Sequence, residues 1–172
     1  HWLPNNSDVV IFTEAAEKSV QLVNEAAIIF CLDFNTLSRI NQLGEHIRNA
    51  NAIKVMIDHH LEPEDFDDFR HWNINACAAA QLVYDFIVNE LNDASFINKD
   101  VATCLYTGIM TDSGSFRFPS ATSIVYRIAA DLIDLGAEHW RIHQLVYDNA
   151  SENRLRFLGH CLSNKLEILR DV

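Results

Sequence analysis

A chain of 172 residues, 49% apolar and 22% charged, is long enough to bury a core and too apolar to be disordered. Its formal charge of −11 works against a broad electrostatic grip on duplex nucleic acid or an anionic membrane. A phosphate ligand stays open, because bound divalent cations invert the local field.

The run Asp8 to Phe12 predicts a short buried strand. Thr13 follows as a helix N-cap, with Glu14 and Glu17 in the first turn and Val20, Leu22 and Val23 on an apolar face. Ala26 to Leu32 predicts a second strand. Thr36 to Asn49 predicts a helix with Leu37, Ile40, Leu43 and Ile47 on one face, and Ile53 to Ile57 a third strand. Glu62 to Phe69 is acidic and aromatic and reads as a loop. Trp72-Asn73-Ile74 suits a short strand. From Ala76 the chain turns helical, with Leu82, Val83, Phe86, Ile87 and Leu91 at helical spacing. Lys99 to Thr107 continues as helix and is expected to break at Gly108. Thr122 to Leu135 is helical and stops at Gly136, a C-cap. Glu138 to Tyr147 and Glu152 to Leu169 complete the series. Continuous apolar strands alternating with amphipathic helices predict an α/β fold. A parallel sheet would be flanked by helices, with a helix-rich second half. No Gly, Ser or Pro linker interrupts the text, so residues 1–172 are taken as one domain.

Cys31, Cys77, Cys104 and Cys161 form no CxxC pair. Cys31 and Cys104 lie in apolar runs and read as small buried hydrophobes. This usage suits a reducing cytoplasm, the expected location. No apolar stretch approaches a membrane span, and no basic-then-apolar leader opens the chain. The opening His1-Trp2-Leu3-Pro4 lacks Met, so the chain is expected to be processed or cut from something longer.

Three acidic or imidazole clusters carry the chemistry. Asp58-His59-His60 ends the run from Ile53, Asp33 ends the run from Ala26, and Asp112 lies in Gly108-Ile109-Met110-Thr111-Asp112-Ser113-Gly114. Ligands of open α/β sheets gather outside the carboxyl ends of the strands, so one shared pocket is expected. Asp33 alone could cap the following helix. Two imidazoles beside an aspartate cost more to bury than packing alone repays. Carboxylates with imidazole suit Mn²⁺, Fe²⁺ or Zn²⁺, and no thiolate is placed for a structural zinc. The glycines around Asp112 would let backbone approach an ion or phosphate; a simple Asx turn is the alternative.

Leu32-Asp33-Phe34-Asn35, Ile57-Asp58-His59-His60 and the run Gly108 to Phe116 resemble three successive motifs of the DHH phosphoesterases. The similarity is to the nanoRNase and 3'-phosphoadenosine 5'-phosphate phosphatase branch, related to RecJ exonucleases. The resemblance implies two Mn²⁺ ions and hydrolysis of phosphate esters by metal-activated water. It implies that Asp33 bridges the metals and that His59 and Asp112 bind one of them. His60 would face the substrate phosphate, and Asp58 would orient the imidazoles. Asn35, Arg39 and Arg117 are candidate substrate contacts. The implied partners are short RNA oligonucleotides or small nucleotide phosphates, with a homodimer possible. Two family elements have no match here: an earlier Asp-x-Asp motif with a nearby His, and a C-terminal substrate-binding domain with a Gly-Gly-His element. The chain is therefore expected to be part of a longer enzyme, holding at most one incomplete metal site and inactive by itself. In Ala76-Cys77-Ala78-Ala79-Ala80, relatives often carry Ser and Thr, so no hydroxyl contact is expected there.

His139 and His143 share a helical face without the glutamate of HExxH, which favours a surface or packed pair. Trp2, Trp72 and Trp140 suit core or rim packing better than stacking on a base. Two rival readings follow from the residues: a regulatory or assembly domain with a degenerate site, or a hydrolase of cyclic dinucleotides or polyphosphate.

Overall fold

The structure is a computed structural model that describes residues 2–168. The chain divides after Glu138 into two compact units. Among the described residues the first holds five α-helices and three strands. They are α1 (Ala16–Glu25), β1 (Ile28–Leu32), α2 (Gln42–Asn49), β2 (Ile53–Asp58), β3 (Phe69–Trp72), α3 (Ala79–Asp85), α4 (Lys99–Asp112) and α5 (Ser123–Asp134). The second holds α6 (His139–Tyr147) and α7 (Glu152–Asn164). The last helix, expected to reach Leu169, ends at Asn164, with residues 165–168 non-helical; Leu169 itself lies outside the described residues.

The strands form one parallel sheet in the order β1-β2-β3. Its register sets Leu32 beside Ile57 and Asp58 beside Trp72. Period-two alternation then sends Cys31 to one face, where it packs with Leu37 and Ile47 and with Val23 of α1. Ile57 goes to the other face, against Ala76 and Leu82 of the α3 segment. The expected layering, a parallel sheet between helices, is what the chain adopts. On β1 the expected burial of both faces does not hold: Ile28, Phe30 and Leu32 are exposed. α3 covers β2 on that side, and Phe86 reaches Phe30 at a 6.2 Å ring separation.

Several boundaries differ from expectation. Asp8 to Phe12 is not a strand: Asp8 ends a 3-10 turn (Asn6–Asp8), residues 9–11 are irregular with Val9 and Ile11 exposed, and Phe12 enters a turn. α1 starts at Ala16 and has no side-chain cap, so Thr13 is not its N-cap. The helix expected over 36–49 is two pieces, a 3-10 turn (Leu37–Ile40) and α2, because Asn41 takes a left-handed φ of 52°. The short strand expected at 72–74 lies instead at 69–72 as β3, pulled into place by pairing with β2.

The helix expected to break at Gly108 runs on as α4 to Asp112. Gly108 is there for proximity and not for a turn. A Cβ on it would lie 2.7 Å from the Ala80 methyl, so α3 and α4 approach through it. Alanine at 108 should gain about 1 kcal/mol in helix propensity. It should lose about 1–3 kcal/mol to overpacking, because the Ala80 methyl cannot swing away. We expect Gly108→Ala to lower the urea midpoint and Ala80→Gly in the same chain to recover it. A raised midpoint in the single variant, the propensity gain with no offsetting clash, would rule out the close approach. The stop at Gly136 is as expected, with φ of 105°.

Candidate metal centre

Each ligand is delivered by the end of an element. The chain leaves β1 at Asp33, which adopts a left-handed φ of 64° while its N–H still donates to Ile57 O at 3.2 Å. Aspartate tolerates this conformation better than most residues. β2 ends on Asp58 and passes directly to His59 and His60. α4 ends on Asp112, after which Gly114, Ser115 and Phe116 take three successive left-handed conformations. Ser113, fully buried, holds that turn by accepting the Phe116 N–H at 3.0 Å.

Ligand atoms of Asp33, Asp58, His59 and His60 lie within 4.8 Å of one another. Their hydrogen bonds divide the roles. His59 Nδ1 lies 3.0 Å from Ala76 O. A carbonyl only accepts, so Nδ1 carries the hydrogen and Nε2 of the neutral ring carries a lone pair. That lone pair faces Asp112 Oδ2 at 3.2 Å and Asp33 Oδ1 at 3.7 Å. Three acceptors turned on one point repel one another unless a proton or a cation sits between them. The donor set of two carboxylates and one imidazole fits a divalent transition ion. The structure thus brings Asp33, His59 and Asp112, drawn from three distant stretches, to one point.

Asp58 is not free to join them. It is 0% exposed, its Oδ1 accepts from His60 Nδ1 at 2.8 Å and its Oδ2 accepts the His60 N–H at 3.1 Å. Its place is behind the site, orienting His60. The Trp72 indole adds a further anchor by donating to His60 O at 2.7 Å. Burial pushes the Asp112 carboxyl above its ordinary value; His59 opposes this and Asp33 adds to it. The Cys77 thiol is pushed up to about 11 by burial and then by Asp112, and Cys31 to about 11, chiefly by burial. Neither supplies a thiolate. Cys104, expected to be buried, is exposed and lines a cleft of about 320 Å³ beside Asp33 and Asp112. Leu32, Ala79, Val83 and Gly108 form other parts of its wall.

Asn35, expected at the substrate, is instead 3% exposed. Its amide donates to Leu61 O, and its backbone carbonyl accepts the Glu64 N–H at 2.8 Å. It ties the Asp33 turn to the segment after His60. Glu64 continues the tie, accepting the Leu37 N–H at 2.9 Å and Arg48 Nη2 at 2.6 Å. These bonds, the Leu37 one first, hold its carboxyl below its ordinary value. A lowered carboxyl adds stability that is present above its unfolded value and lost as pH falls through the folded one. Glu64→Gln should therefore be less stable than the parent at neutral pH. The gap should close in acid, where the parent residue is itself neutral. A gap that persists in acid urea melts would discount the charge. The acidic loop is thus a bonded strap: Asp67 pairs with Arg70 at 2.6 Å, and Asp68 accepts the Lys54 N–H at 2.8 Å.

Arg39 Nη2 reaches His60 Nε2 at 3.2 Å, and Arg117 Nε donates to Gly114 O at 2.7 Å. Neither the Ala76 carbonyl nor the Trp72 indole was identified from sequence. A carbonyl has no residue signature, and Trp72 reaches His60 only through the β2–β3 register.

A parallel α/β sheet that gathers aspartate and histidine side chains at the ends of its strands and of α4 has donors suited to a divalent cation. The DHH family, N-terminal domain, matches residues 1–109, and the chain belongs to that family. It is 29% identical over 110 residues to the probable bifunctional oligoribonuclease and PAP phosphatase NrnA of Streptococcus mutans, covering 63% of this chain and 33% of that protein. It is 36% identical over 84 residues to the bifunctional oligoribonuclease and PAP phosphatase NrnA of Thermus thermophilus, covering 49% of this chain and 25% of that protein. An exopolyphosphatase-related protein from Bacteroides fragilis superposes with a TM-score of 0.91 at 36% identity, over 95% of this chain and 48% of that one. The chain thus spans at most about half the length of these relatives. Among the described residues no helix is long and apolar enough to cross a membrane.

Proposed function

We propose that this chain is the catalytic-domain portion of a divalent-cation-dependent phosphoesterase. It acts with Mn²⁺ on short oligoribonucleotides or small nucleotide phosphates. One observation carries the reading: His59 Nε2 faces the Asp112 and Asp33 carboxylates at 3.2 and 3.7 Å. Bound there, divalent cations would neutralise phosphoryl charge and activate water. The chain's own residues do the rest. Ala76 O fixes the His59 ring so that Nε2 points inward, and Asp58 holds His60 beside it. Arg39 and Arg117 are the proposed cationic contacts to phosphoryl oxygens.

The names of the Streptococcus and Thermus relatives support the nucleotide substrates. The name of the Bacteroides structure keeps inorganic polyphosphate as a second reading. The test is hydrolysis of a short oligoribonucleotide, 3'-phosphoadenosine 5'-phosphate and polyphosphate by the intact protein, with and without Mn²⁺. Turnover of none of them would defeat the proposal.

A further inference from the structure

Arg39 sits in the turn Leu37–Ile40, and its guanidinium lies 3.2 Å from His60 Nε2. A guanidinium offers five donors and no acceptor and keeps its proton. The contact therefore requires a lone pair on Nε2. The ring hydrogen is then on Nδ1, where it is donated to Asp58 Oδ1 at 2.8 Å. Asp58 is fully buried and also takes the His60 N–H. His60 is held as one neutral tautomer with both nitrogens engaged.

The nearby arginines of the strap are spent differently. Arg48 pairs with Glu45 and Glu64, and Arg70 with Asp65 and Asp67. Arg39 has no carboxylate within ion-pair distance among the described residues and rests on a neutral ring. Its stem is fixed: Leu37 is buried and donates its N–H to Glu64, and the Arg39 N–H donates to Thr36 O at 3.2 Å. The head of the side chain is free to exchange partners while the backbone stays.

We propose that Arg39 is a phosphoryl-binding side chain parked on His60 Nε2 in the free protein, and that an arriving phosphoryl group draws it off and uncovers that nitrogen. The exchange is favourable because a phosphoryl group offers charged oxygens in the spacing of the guanidinium fork. A neutral imidazole offers one lone pair. The uncovered Nε2 is an acceptor beside the cation site, able to receive a hydrogen bond from a hydroxyl of the bound ligand. A ligand without a phosphoryl group leaves the pair intact. The inference rests on the phosphoester reading and specifies how the phosphoryl group is sensed.

The test is imidazole ¹⁵N NMR on the intact protein with diamagnetic Mg²⁺ and inorganic phosphate as the probe. In the free protein His60 should show hydrogen on Nδ1 and a hydrogen-bonded, unprotonated Nε2. Arg39→Ala should move the Nε2 resonance to that of a free nitrogen. Phosphate should move the parent toward the same position and leave the variant unmoved. Phosphate affinity should fall about tenfold in Arg39→Ala, the scale of one charge-assisted contact, with Arg39→Lys between. Hydrogen on Nε2 in the free protein would overturn the inference, as would equal phosphate affinity in parent and Arg39→Ala. None of these readouts needs turnover. A phosphate response in a protein that hydrolyses no ester would sink the hydrolase reading alone. Ester hydrolysis with unchanged KM in Arg39→Ala would sink the parking alone.

Discussion

Asp112→Ala abolishes Mn²⁺-dependent hydrolysis while leaving the fold intact: that is the expected result with the largest effect. The Asp112 side chain is 47% exposed and sits 3.2 Å from His59 Nε2, with Asp33 on the far side. Without a cation the carboxylate does little for stability. It is crowded by a second carboxylate, and burial already disfavours its charged form. Removing it should leave the thermal midpoint of the metal-free protein unchanged or slightly raised. With a cation the balance reverses, because one of three anionic or imidazole donors is gone. We expect kcat/KM to fall about 10³-fold, the size of losing a preorganised electrostatic contact to the transition state. Calorimetric titration should show Mn²⁺ affinity falling with it. Asp112→Asn keeps the shape and removes the charge, so it should behave as alanine does. Retained turnover in either variant would remove Asp112 from the ligand set. A falling midpoint with unchanged Mn²⁺ affinity would make it a structural residue.

The sheet was legible because β1 and β2 are continuous apolar runs bounded by polar text. The same rule failed at Val9 to Phe12, since an apolar run becomes a strand only where a neighbour pairs with it. Gly108 was misread for a related reason. Glycine signals a turn when only local conformation is considered, yet here α3 needs a position without a Cβ opposite Ala80. Asp33 and Asp58-His59-His60 stood out because they close apolar strands, Asp112 because of its glycine-flanked run, and the family resemblance joined the three. What positions them was not. Asn35 looked like a substrate contact by residue type, but its amide is used on Leu61 O, a partner 26 residues away. The Ala76 carbonyl orients His59 from a segment where hydroxyls were the natural thing to look for. Residue type tells what a side chain can do, while register and burial decide whether it is free to do it.

Asp58→Asn carries this point into energetics. The carboxylate accepts twice from one residue, from His60 Nδ1 at 2.8 Å and from the His60 N–H at 3.1 Å. An amide has one oxygen and one donor group, so it satisfies one contact and opposes the other. If its oxygen takes Nδ1, its NH₂ meets the backbone N–H. If its oxygen takes the backbone, its NH₂ meets Nδ1, and His60 must shift its hydrogen to Nε2. That nitrogen faces the Arg39 guanidinium, which also donates. The first arrangement buries a donor against a donor, at a cost of about 1–3 kcal/mol; the second sets two donors against each other at the exposed Arg39 contact, at a smaller cost. Misorienting a ring beside the cation site should also lower kcat/KM about 10–100-fold. The two routes differ in one respect: only the second is relieved by removing Arg39. With Arg39→Ala in the same chain, Nε2–H can turn to water, and part of the stability should return. Coupling of about 1 kcal/mol in a double-mutant cycle by urea denaturation would show that Asp58, His60 and Arg39 act as one chain of hydrogen bonds. Strict additivity would show that the imidazole does not transmit between them.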